Sequence, residues 1–129
     1  PQTLFVIDAS TFGNNFNAAA GAGLLTGQAA VSQVVGAAIT DVVTIMTRLY
    51  NAGARNMLVI NVPNIGNTPL VRAQGAAAQQ GATVASGGFA QNLAAAIQTN
   101  LLPTAPGLRV FSLDLFTISN TVTANPAAA

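Results

Sequence analysis

Histidine, cysteine, lysine, glutamate and tryptophan are all missing from this chain of 129 residues, and each absence removes a kind of chemistry. Without cysteine there is no disulfide, no thiolate nucleophile and no cysteine-held zinc. Without histidine the chain cannot complete by itself a Ser-His-Asp or Cys-His relay, whose general base is the imidazole. Charge is almost absent as well. Three aspartates (Asp8, Asp41, Asp114) and four arginines (Arg48, Arg55, Arg72, Arg109) make up 5% of the residues, against about 25% in an average soluble domain. Four scattered arginines and a net charge of +1 form no cationic stripe, so no nucleic-acid partner is expected. The pI of about 9.2 reflects one surplus charge. No run reaches 18 consecutive apolar residues, and Ser32, Gln33, Thr40 and Asp41 interrupt the longest helical stretch, so no transmembrane segment is expected.

What is present is apolar and neutral. Apolar residues make up 51% of the chain, and polarity rests on twelve Asn, eight Gln and thirteen Thr. Such a hydrated, weakly charged surface suits a secreted or cell-surface protein. The chain opens on Pro1, from which we expect a removed leader or a larger N-terminal part.

Hydrophobic patterning divides the chain into alternating elements. The residues from Thr3 to Asp8 form a short apolar run rich in β-formers, expected as a strand buried on both faces. Turn formers follow from Ser10 to Asn17, and the Ala/Gly stretch from Ala18 to Gly27 offers little to pack. From Gln28 apolar residues recur at three- and four-residue steps (Val31, Val34, Val35, Ala38, Val42, Ile45, Met46, Leu49), which predicts an amphipathic helix with Thr26 as N-cap and a stop at Asn51-Ala52-Gly53. A second buried strand spans Asn56 to Val62 and ends at Pro63. After the turn-rich loop Pro63 to Pro69, the glycines Gly75, Gly81, Gly87 and Gly88 predict an interrupted first half and a firm helix only from Phe89 to Leu101. A third strand, Leu108 to Asp114, precedes a short last helix, Leu115 to Thr123, with Leu115, Ile118, Ser119 and Val122 on one face. The β-α-β-α-β-α order predicts a parallel sheet with right-handed crossovers and helices on both faces, the doubly wound α/β plan. Three parallel strands are few, and the first is as apolar as the others. It is therefore expected inside a wider sheet, with further strands before residue 1.

Ligands of such sheets bind beyond the carboxyl ends of the strands, which makes the loops after Asp8, Val62 and Asp114 the candidates. Gly13-Asn14-Asn15 offers a backbone N–H and carboxamide donors, the material of an oxyanion hole; the alternative is an Asx-rich turn bonded to its own backbone. Asp8 and Asp114 are isolated carboxylates, so neither a metal site nor a cofactor is expected, and Asp114 reads as the cap of the last helix. Ser10, Ser86, Ser112 and Ser119 lack both a nucleophile elbow and an activating base. The two prolines and the glycine in the loop from Pro63 to Pro69 set its path, and the arginines read as helix-end and solvent charges.

The stretch from Leu49 to Pro69, ending in Val62-Pro63-Asn64-Ile65-Gly66-Asn67-Thr68-Pro69, resembles the central segment of GDSL/SGNH hydrolases, above all the phospholipase/lecithinase/haemolysin and autotransporter-esterase branch. In that branch a strand commonly ends in a V-P-D-L-G-x-T-P-like loop. Leu108 to Asp114, followed by Ala124-Asn125-Pro126-Ala127, is similar to the branch's next strand and helix. The resemblance implies that residues 1–129 are a single, partial SGNH-hydrolase-like domain with a flavodoxin-like three-layer α/β/α sandwich. It also implies hydrolysis of lipid or small acyl esters through a Ser-His-Asp site whose GDSL and Asp-x-x-His blocks lie outside this chain. Only the G-x-N-D block falls within it. Placing Asn14 on the oxyanion Asn, with Gly13 as a backbone donor, puts Phe12 on the block's Gly and Asn15 on its Asp; an ungapped match from Leu4 puts Ser10 on that Gly and Phe12 on the Asn. The chain alone is expected to be inactive. The alternative is a non-catalytic structural or self-assembling surface protein built on a truncated hydrolase fold. Its partners would be copies of itself or an N-terminal part.

Overall fold

The computed structural model describes residues 2–9, 15–16, 18–19 and 27–128. Three strands, β1 (Leu4–Asp8), β2 (Asn56–Ile60) and β3 (Arg109–Leu113), pair in parallel in the order β1-β2-β3. Their registers run level, Leu4 beside Asn56 and Asn56 beside Arg109. The chain crosses from β1 to β2 through α1 (Gln28–Asn51). From β2 to β3 it passes a 3-10 turn (Ile65–Asn67), the short α2 (Pro69–Arg72) and the long α3 (Ala76–Ala96), then a π turn (Ile97–Leu101) and a further 3-10 turn (Leu102–Thr104). After β3 comes α4 (Leu115–Ala124). This is an α/β fold on a parallel sheet.

Strand order decides where the helices go. Two crossovers that step in the same direction with the same hand emerge on the same side of the sheet, and α1 and α3 indeed pack against each other. Side chains alternate across a strand, so Phe5, Ile7, Met57, Val59 and Val110 face these helices and join the core with Val35, Val42, Met46, Phe89 and Leu93. The other set, Leu4, Val6, Phe111 and Leu113, is exposed, with Val6 at 58% and Phe111 at 52%. Two expectations therefore change. Among the described residues β1 is covered on one face only and forms an edge of this three-stranded sheet, and no helix covers the second face.

The helices also differ from their sequence pattern in instructive ways. α1 begins after Gly27, whose φ of 89° suits glycine, and no side chain caps it; the expected cap, Thr26, lies outside the described residues. Its buried stripe, Val35, Ala38, Val42 and Met46, is turned inward, although by length and composition alone α1 is apolar enough to cross a membrane. At its far end Arg55 donates to the carbonyls of Tyr50 and Ala54 and lies 4.1 Å from the Tyr50 ring centroid, while the Tyr50 hydroxyl donates to Pro106 O at 2.8 Å. Of the glycines expected to interrupt this stretch, Gly75 does so, its φ of 101° separating α2 from α3, but α3 then runs unbroken through Gly81, Gly87 and Gly88. Burial of Ala82, Ala85, Ser86 and Phe89 holds its first half, which shows tertiary packing overriding local propensity. In α4, Ile118 and Val122 are exposed. The inward side instead carries Phe116, whose ring lies against Gly87 of α3, and Ser119 and Asn120, which are hydrogen-bonded to Asn64 in the loop after β2.

Candidate functional site

The carboxyl ends of the strands carry a network made almost wholly of neutral groups. Asn61, just past β2, donates from Nδ2 to Asp114 Oδ1 at 2.9 Å and accepts at Oδ1 from the Phe116 N–H. Asp114 in turn accepts from the Thr117 N–H at 3.1 Å and from the Thr117 hydroxyl at 2.7 Å, which makes it the N-cap of α4. The Asn61 amide first, and then Thr117, hold the Asp114 carboxyl below its ordinary range.

Next to this knot, Asn64 is buried in the turn and uses both ends of its amide. Its Oδ1 accepts from the Gly66 N–H and from the Thr83 hydroxyl; its Nδ2 donates to Asn120 Oδ1 at 2.7 Å; its backbone N–H donates to the Ser119 hydroxyl at 2.8 Å. Ser86, fully buried on α3, accepts from the Ile65 N–H and donates to Ala82 O. Gly66 is required by close approach, since a Cβ there would collide with the Thr83 hydroxyl and the Gln79 carbonyl. The loop from Pro63 to Pro69 is thus a polar clasp between β2, α3 and α4, and every buried side-chain polar atom of the described residues has a partner. Ser86 and Ser119 spend their hydroxyls on backbone carbonyls. Ser112 is exposed on β3, and Ser10 lies outside the described residues.

Two clefts open beside the sheet. One, about 370 Å³, lies between the end of β1 and α1 and is bordered by Asp8, Asn15, Asp41 and Arg48 over a floor that includes Ile7 and Phe89. The expected oxyanion donors Gly13 and Asn14 lie outside the described residues; their neighbour Asn15 borders this cleft. The other, about 380 Å³, lies between α3, β3 and α4. Among the described residues no group of three acidic side chains could hold a metal ion.

Sequence reasoning found Asp114 as a cap and the loop from Pro63 to Pro69 as distinctive. It missed Asn61, Asn64, Thr83, Ser86 and Asn120 as partners. The available signal was Ser86 itself, a hydroxyl set within the stripe of Ala82, Ala85, Phe89 and Leu93 that α3 buries. Compared with known proteins, the chain matches no protein-family model and no curated sequence.

Proposed function

We propose that this chain is the central and C-terminal wing of a secreted or cell-surface GDSL-type carboxylic ester hydrolase with a flavodoxin-like α/β/α plan. In this reading residues 1–129 supply sheet, clasp and binding wall, while the nucleophilic serine and the histidine belong to other parts of the enzyme. Gly13 and Asn14 would contribute oxyanion donors. The observation that carries the reading is that, among the described residues, β1 forms an edge of the sheet next to an exposed apolar sheet face. Parallel sheets are normally covered on both faces. In a 2-1-3-4-5 sheet the last three strands run in sequence on one side of the switch point, with their crossover helices on one face. β1-β2-β3 has that topology.

Labelling of the native protein with a fluorophosphonate tests this. The expected result is a labelled serine in a polypeptide that also yields peptides of residues 1–129, the serine lying outside them, and no turnover of p-nitrophenyl butyrate by the 129-residue chain alone. A label on Ser10, Ser86, Ser112 or Ser119 overturns the reading. The same exposed edge and face favour a second reading, a non-catalytic protein that assembles through copies of itself. An ordered multimer of the native chain without esterase activity would establish it in place of the first.

A further inference from the structure

The cleft between α3, β3 and α4 is left unexplained by the clasp beside it. Its floor is Val59, Leu93 and Ile97, all buried. Gly87, Ala90 and Ala94 leave the α3 wall without bulk, so the space exists because small residues recur on that side of the helix. A volume of about 380 Å³ falls within the range of about 300–1,000 Å³ typical of small-molecule sites.

The polar atoms at the mouth fall into two groups. Asn61, Asp114 and Thr117 are bonded to one another and to the start of α4. Ser112 and Gln91 have no such engagement in the structure, and their hydroxyl and amide are open to a guest. Among the described residues Asp114 is the one charged residue on the rim. A guest's head group therefore meets two neutral hydrogen-bonding groups and a fixed negative charge, so a neutral head is accepted and a carboxylate repelled.

The geometry points to this cleft as a binding site for neutral medium-chain amphiphiles, such as primary alcohols or intact esters. The alkyl chain lies on Val59, Leu93 and Ile97, and the head is bonded by Ser112 and Gln91. Fatty carboxylates are disfavoured. The inference stands apart from the hydrolase reading, because binding needs no turnover and turnover elsewhere needs no binding here.

Amide NMR titration of the full chain at pH 7 tests it with 1-octanol and octanoate as probes. Octanol should give saturable shifts at residues 87–97 and 110–117, and octanoate should bind about fivefold or more weakly. Ala94→Leu, at an exposed helix position that welcomes leucine, should reduce octanol affinity about tenfold or more. Ser112→Val, which keeps strand propensity, should reduce it about threefold. Asp114→Asn, which retains a capping oxygen, should bring octanoate within about twofold of octanol. Far-UV circular dichroism confirms that each variant is folded. Equal binding of octanoate and octanol by the parent chain, octanol binding undiminished in both folded cleft variants, or no saturable shift at these residues overturns the proposal.

Discussion

Asp114 shows how one side chain can join two elements. Its carboxylate starts α4 and, through Asn61, ties that start to the end of β2. Asp114→Ala should cost about 1 kcal/mol as a lost cap, read by urea denaturation at pH 7, whereas Asp114→Asn should be close to neutral. The pH dependence follows from the same bonds. The folded carboxyl titrates below the ordinary value of about 3.9, so its contribution is complete above that value and disappears as pH falls through the folded value. Acid denaturation of Asp114→Asn should lack this step. Ser86 makes a sharper case: Ser86→Ala leaves the Ile65 N–H buried without an acceptor, a loss of about 1–3 kcal/mol, measured by the same urea titration. Asp114 was legible in the sequence because a cap acts on neighbours three residues away. Ser86 and Asn64 were not, because apart from Ala82 O and the Gly66 N–H their partners lie 19 to 56 residues off and neutral hydrogen bonds leave no periodic trace.

At the scale of elements, the three strands and α1 stood out because apolar residues follow the strand and helix periods there. The first half of α3 did not, because local propensity says nothing of the clasp and core that hold it. Its glycines can now be told apart. Gly81 has open space at its Cβ position, so Gly81→Ala should stabilise the chain by about 1 kcal/mol through helix propensity alone. At Gly87 a Cβ would sit 3.1 Å from the Phe116 ring, and the same substitution should gain less as the ring is displaced. Gly66→Ala should lose about 2 kcal/mol or more, since the obstructing Gln79 carbonyl belongs to the backbone of α3 and cannot swing aside. Thermal unfolding of the three variants side by side gives the ordering.

For the molecule as a whole, the decisive property is the uneven cover of its sheet. Alternation along β1 and β3 shows which residues share a face, but an apolar run on both faces does not reveal whether the second face is met by this chain or by something else. That part of the fold could only be read from coordinates. Replacing Val6 and Phe111 together by threonine keeps β propensity while removing the two most exposed apolar groups at the centre of the face. The double variant should show a smaller concentration dependence of sedimentation than the parent, with an unchanged far-UV spectrum.

The strand order has a kinetic side too. Each sheet pairing joins residues about 50 positions apart, and neither contact can form until a whole crossover has been gathered in. Until each crossover is gathered in, the corresponding pairing cannot close, and β1 has no partner strand on either side. Whatever meets the nascent chain first at that strand decides between a finished domain and an aggregate.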